Sequence, residues 1–171
     1  EADESDGSFL KLNPYLALVT NIEDDHLDYY GTEENIYKAF KQFLGNLVDG
    51  GKAILCVDNA KVKALAQETD KEIITYGLAD ADYVAKDICY GVDGTSYKLY
   101  YKDELVTEVR LIVPGRHNVL NSVGAFAAAR EMGIEVENIL ASLAKFGGAK
   151  RRFETKGKVN DVTQASKDLK D

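Results

Sequence analysis

The sequence predicts an α/β fold, a mostly parallel sheet flanked by helices with a small antiparallel β-meander. Three observations carry that assignment. Apolar strand-like runs alternate with helix-period segments over residues 15–76, three strand-like runs with short turns follow over residues 83–113, and an Ala-rich helical stretch comes after Pro114-Gly115. Strand–helix–strand alternation builds parallel sheets, whereas runs joined by tight turns pair antiparallel. The 171 residues suffice for one core and are short for two.

Taken in order, residues 15–20 (Tyr-Leu-Ala-Leu-Val-Thr) form a nearly continuous apolar run of the kind buried on both faces of a parallel sheet. From Thr32 the apolar positions Ile36, Phe40, Phe43, Leu44 and Leu47 recur at helical spacing, with Thr32 placed to cap and Gly50-Gly51 to stop the helix. Glu33 and Glu34 suit its first turn. Residues 52–57 read as a second strand, Asp58 as the cap of a helix carrying Val62 and Leu65, and residues 72–76 as a third strand. Residues 83–90, 96–101 and 105–113 give the meander. A helix over 117–130 then presents Val119, Leu120, Val123 and Ala127 on one face, and another points Ile139, Leu140, Leu143 and Phe146 inward. After Phe153 the chain is polar and aperiodic, and residues 164–171 read as a flexible tail.

Composition excludes several roles. Lys and Arg total 21 against 29 Asp and Glu, a net charge of -8, so the electrostatic footprint of nucleic-acid binding is missing. No apolar run approaches the roughly 20 residues that span a bilayer. The acidic opening at residues 1–6 is the reverse of a basic, apolar leader, so a cytoplasmic protein without a membrane partner is expected. Cys56 and Cys89 each fall in a strand-like run and read as small buried thiols.

Four clusters can carry chemistry. Residues 1–9 (Glu-Ala-Asp-Glu-Ser-Asp-Gly-Ser-Phe) are acidic and small and precede the first strand, reading either as solvated charge or as a ligand loop. Residues 20–28 follow that strand, at the end where open α/β sheets place ligands. There His26 has Glu23, Asp24, Asp25 and Asp28 within three residues, and reads either as a surface histidine or as an imidazole donor to a divalent ion. In Pro114-Gly115-Arg116-His117-Asn118-Val119-Leu120-Asn121, the amides of Asn118 and Asn121 share a helical face that suits a purine edge or simple capping. Gly147-Gly148-Ala149-Lys150-Arg151-Arg152 is a basic island in an acidic chain, whose guanidinium groups suit phosphate or solvent. A Gly-x-x-x-x-Gly-Lys-[Ser/Thr] phosphate loop is absent from these residues, since Gly51-Lys52 is followed by Ala53.

In this order, Glu1-Ala2-Asp3-Glu4-Ser5, Val19-Thr20-Asn21-Ile22-Glu23 with Asp25-His26-Leu27-Asp28, Pro114 to Asn121 and Arg151-Arg152-Phe153-Glu154 resemble the Mur ligase family of ATP-dependent amide-bond-forming enzymes of peptidoglycan synthesis. The Glu-Ala-Asp-Glu-Ser form resembles the member that joins L-alanine to UDP-N-acetylmuramate. The resemblance implies that residues 1–163 are the central ATP-binding domain without its phosphate-binding loop, which the family carries upstream. It further implies that Glu1 and His26 hold Mg2+, that His117, Asn118 and Asn121 bind the adenine of ATP, and that Arg152, together with Arg151, lies near the phosphates, with His26 and Arg152 the catalytic pair. The flanking domains for the sugar nucleotide and the amino acid are then missing partners. The polypeptide alone is expected to be inactive, and uncovered apolar sheet surface to favour self-association. A non-catalytic nucleotide-binding or scaffold module, or a sister Mur or folylpolyglutamate-type ligase, is the alternative.

Overall fold

A computed structural model describes residues 2–148, 154–159 and 162–166. The main body is a six-stranded sheet in which spatial order equals chain order: β1 (Leu16–Val19), β2 (Lys52–Cys56), β3 (Glu72–Gly77), β4 (Tyr83–Gly91), β5 (Gly94–Tyr101) and β6 (Glu104–Leu111). β1 through β4 are parallel, and β4, β5 and β6 pair antiparallel. β4 overlaps β3 only at Tyr76↔Tyr83 and Gly77↔Val84, so the chain continues past the end of β3 and the sheet changes type there.

Between β1 and β2 lie α1 (Leu27–Tyr30) and α2 (Glu33–Gly45), and between β2 and β3 lies α3 (Ala60–Glu68). Successive crossovers in one direction along a parallel sheet place their helices on one face. Accordingly Ile36, Phe43, Leu44, Val62 and Leu65 pack with Ala17, Val19, Ala53 and Leu55. The other face is covered by α4 (Arg116–Glu131) and α5 (Val136–Leu143), with Val119, Val123, Phe126 and Ile139 against Ile54, Cys56, Ile74 and Tyr76. The alternation of β2 between the two clusters explains why its last four residues are all buried.

Thr32 caps α2 as expected, its side chain accepting from the Asn35 amide. Other boundaries differ. α2 ends at Gly45, short of Gly50-Gly51, because Asn46 closes it and donates its side-chain amide to the Leu10 carbonyl. The cap of α3 is Asn59, which accepts from Val62, while Asp58 faces elsewhere. α1 has four residues, too few to show a helical period. Phe146 lies beyond α5 and is half exposed rather than inward. Cys56 is buried, but Cys89 is exposed, because a register shift between Lys86 and Cys89 re-aims that end of β4.

By itself, a hairpin of β7 (Glu154–Val159) and β8 (Val162–Ser166) occupies the polar, aperiodic stretch, and residues 164–166 of the expected tail are strand. Among the described residues no helix is long and apolar enough to cross a membrane.

Candidate functional site

The carboxyl ends of β1, β2 and β3 and the start of α4 bring together most of the described candidate residues. The acidic loop is shaped locally: the Asp3 carboxylate accepts from the Ser5 amide at 2.9 Å and the Asp6 carboxylate from the Ser8 amide at 2.9 Å. The Ser5 side chain and amide hold the Asp3 carboxyl below the ordinary carboxylate range, and those of Ser8 do the same for Asp6. Gly7 turns the chain at φ 70°, and a Cβ there would come within 2.7 Å of the Tyr29 hydroxyl oxygen. Phe9, 2% exposed, fastens the loop to α2 with ring centroids 5.3 Å from Phe40 and 5.0 Å from Phe43.

After β1 the chain descends through Asn21, whose amide donates to Glu23 at 3.3 Å, and buried Ile22. Lys61 of α3 pairs with Asp24 and, at 3.5 Å, with Glu33, which offsets part of the acidic field there. His26 then adopts φ 59° as the residue before α1. The Tyr30 hydroxyl donates to the Glu4 carbonyl, tying α1 to the acidic loop. His26 Nε2 thereby lies 3.8 Å from Glu4 Oε1. That separation is too long for a hydrogen bond and suits two groups facing a common guest.

Glu4, Asn21, Glu23, Asp25 and His26 line the polar side of a cavity of about 820 Å³, and Phe9, Leu18 and Phe40 its apolar side. Among the described residues, no three His, Cys, Asp or Glu side chains converge on one point closely enough to hold a metal by themselves. Magnesium, however, takes one or two carboxylates and completes its shell with water and phosphate oxygens. A carboxylate beside an imidazole fits a cation shared with a phosphate, and does not fit an all-protein cage.

The second group is at the start of α4. Gly115 has φ 105° and provides no side-chain cap. The His117 ring lies over it, its Cε1 3.0 Å from where a Cβ would stand. Asn118 spends its side-chain amide on the Pro114 carbonyl at 2.7 Å, and Asn121 is exposed one turn later. These α4 residues do not line the cavity beside His26. What links the two groups is the turn after β2. Asn59 donates to Glu23 at 3.5 Å, while Asp58 accepts from Arg116 Nη2 at 2.6 Å and from the Leu78 amide at 2.8 Å.

Thus His26, His117, Asn118 and Asn121 lie at one end of the sheet, in two groups. Glu1, Arg151 and Arg152 lie outside the described residues. The structure adds Glu4, Asp58, Lys61 and Arg116 to this end of the sheet. Glu4 and Arg116 stand inside the candidate clusters 1–9 and 114–121 with no role assigned by the sequence, Asp58 is expected there as a helix cap, and Lys61 carries no signal.

The chain matches the family described as Mur ligase middle domain over residues 1–129. It is 47% identical over 165 residues to the UDP-N-acetylmuramate–L-alanine ligase of Desulforamulus reducens, covering 95% of this chain and 36% of that protein. It therefore spans about a third of the length of such curated relatives. Among solved structures, the UDP-N-acetylmuramate–alanine ligase MurC of Thermotoga maritima superposes with a TM-score of 0.84 at 24% identity, over 98% of this chain and 37% of that one. MurF of Acinetobacter baumannii gives 0.76 at 26% identity, over 91% and 34%. With the matched stretch running through β1–β6 and most of α4, the chain belongs to the Mur ligase family and carries its middle domain.

Proposed function

We propose that this chain is the ATP-binding middle portion of a ligase that joins L-alanine to UDP-N-acetylmuramate through an acyl phosphate. The observation that carries the proposal is the 47% identity sustained over 165 residues with a UDP-N-acetylmuramate–L-alanine ligase. The activity belongs to a longer polypeptide, whose other parts hold the sugar nucleotide and the amino acid.

In this reading the γ-phosphoryl group of ATP passes to the substrate carboxylate, giving ADP and an acyl phosphate. The amine of L-alanine then attacks the acyl carbon, and phosphate leaves as the amide forms. Such chemistry calls for positioning and for neutralised phosphate charge rather than a protein nucleophile. Glu4 and His26, with Glu1 by the family resemblance, would hold magnesium, which when bound screens the charge of the transferring phosphoryl group. The Glu4 carboxylate is 46% exposed and the His26 ring 34%, so both are open to a polar guest. His117, Asn118 and Asn121 take the adenine, and Arg152, together with Arg151, lies near the phosphates.

Isothermal titration with Mg-ATP tests the proposal, comparing residues 1–171, a longer polypeptide that includes the upstream segment of the relatives, and the His26→Ala variant of each. Weak binding by the short chain is expected, with tight binding by the longer one that His26→Ala abolishes. Failure of the longer chain to bind Mg-ATP, or to release phosphate only when UDP-N-acetylmuramate and L-alanine are both present, would refute it.

A further inference from the structure

α4 is tied to β2 at both ends. Its first residue, Arg116, meets Asp58 just beyond β2, and its last, Glu131, meets Lys52, the first residue of β2, at 3.0 Å. The two ties differ in what lies beside them. Next to Arg116 come His117, Asn118 and, one turn later, Asn121, the residues assigned above to the base of a nucleotide.

The entry to α4 is not fixed by a local cap. Gly115 has no side chain to offer, and its φ of 105° leaves it wide conformational freedom. Within the turn the Asn118 side chain holds the Pro114 carbonyl at 2.7 Å, and the tie from the first turn to the sheet is made by Asp58 through Arg116. The Asp58 side chain is 13% exposed, against 61% for Arg116, so a sheltered carboxylate holds the end of an exposed cation. One carboxylate oxygen takes the Arg116 guanidinium at 2.6 Å, and the other takes the Leu78 amide at 2.8 Å. The approach to the end of β3 is so close that a Cβ on Gly77 would stand 2.3 Å from Asp58 Oδ1. The Gly77-Leu78 segment therefore holds one oxygen of the carboxylate and leaves the other to Arg116. Meanwhile Val119, Val123 and Phe126, all 0% exposed, already anchor the body of the helix, so the pair is not required to hold α4 on the sheet.

We propose that Asp58 is a positioning residue: through Arg116 it sets the first turn of α4 and so aims His117, Asn118 and Asn121 at the base of a bound nucleotide. The proposal rests on the nucleotide reading given above. Asp58 itself touches no nucleotide. It acts through a charge-assisted hydrogen bond, which is shorter and stronger than one between neutral groups.

The test is two-dimensional NMR of the chain titrated separately with adenosine and with Mg-ATP to millimolar concentration. The backbone amides of His117, Asn118 and Asn121 are followed in the unaltered chain and in Asp58→Asn, Arg116→Gln, the double variant and Asn121→Ala. Asp58→Asn and Arg116→Gln should each weaken adenosine binding about tenfold, the size of one such hydrogen bond. The double variant should be no worse than either single one, because both break the same contact. Amide exchange should quicken at Asn118 and Val119 but not at Phe126, which a general loss of stability would move as well. Arg116→Gln alters an exposed side chain and keeps the test open if Asp58→Asn folds poorly. Adenosine binding lost in Asn121→Ala but intact in both Asp58→Asn and Arg116→Gln overturns the proposal and leaves the nucleotide reading standing. Where the short chain shows no binding, the same variants are read in the longer polypeptide that includes the upstream segment of the relatives; no binding by either unaltered chain removes the nucleotide reading, and the positioning role with it.

Discussion

Asp3 and Asp6 spend their charge on their own loop. Hydrogen bonds from Ser5 and Ser8 hold both carboxyl groups below the ordinary value of 3.8. A carboxyl whose folded pKa is depressed contributes stability that is present above the unfolded value and is lost as pH falls through the folded one. The acidic loop is therefore expected to loosen only in acid, beginning below about pH 4. An NMR pH titration of the Ser5 and Ser8 amides checks this, and amide shifts that already move between pH 7 and pH 5 would contradict it. Two buried tyrosines make the opposite case. Burial pushes the phenols of Tyr76 and Tyr97 well above the ordinary tyrosine value, so their contribution is present below about pH 10 and fades as pH rises beyond it. They differ in partners. Ser122 donates to the Val119 carbonyl, which leaves its oxygen to accept from the Tyr97 hydroxyl at 2.7 Å, whereas Tyr76 lies against the Cys56 thiol without a well-formed hydrogen bond. Tyr97→Phe should cost about 1 kcal/mol in urea unfolding, and Tyr76→Phe should be neutral or slightly stabilising. Equal losses would show that the Tyr76 hydroxyl has a partner.

Among elements, α4 shows how close packing overrides local preference. Gly124 in its middle faces the Tyr76 ring, where a Cβ would stand 2.8 Å from Cζ and 3.1 Å from Leu18 Cδ1. Alanine is worth up to about 1 kcal/mol more than glycine in a helix interior. Here Tyr76 is fully buried and cannot retreat, so overpacking, at about 1–3 kcal/mol, wins. Gly124→Ala is expected to lower the melting temperature, and a rise would mean that the sheet yields more readily than a close-packed interior should. The helices were legible in the sequence wherever burial imposed a period, as at Ile36, Phe43 and Leu44 or at Val119 and Val123. What was not legible depended on distant partners. Asp58 and Asn59 are neighbours of similar capping ability, and only the Leu78 amide and Arg116, far along the chain, decide that Asp58 turns away and Asn59 caps. Glu4 met His26 for the same reason, through the Tyr30 hydroxyl and the Phe9 anchor rather than through any spacing.

For the molecule as a whole, the fold class was legible because the two halves of the sheet write different patterns. β2, flanked by strands on both sides and covered on both faces, is a continuous apolar run, while β5 and β6 carry the short turns of a meander. The hairpin of β7 and β8 was not legible, because its sequence is polar and shows no apolar period. At the other end of the sheet, β1 pairs with β2 alone among the described residues and so stands at an edge, and Leu18 on it is 39% exposed. Such edges template pairing with another chain. Residues 1–171 by themselves are expected to associate with a second copy through β1, seen as a concentration-dependent mass in size exclusion with light scattering that Leu18→Lys reduces. A monomer at every concentration would count against it.

The change from parallel to antiparallel pairing at β4 also divides the chain by how far apart its partners lie in sequence. Gly91 pairs with Gly94 across a turn, whereas Leu16 waits for Lys52. Loop closure must precede the contacts that repay it, and long closures are slow. Folding is thus set to begin at the meander and move toward β1. In pulse-labelling hydrogen exchange the amides of β5 should be protected before those of β1, so the strand that bears the His26 loop at its end is the last to find its place.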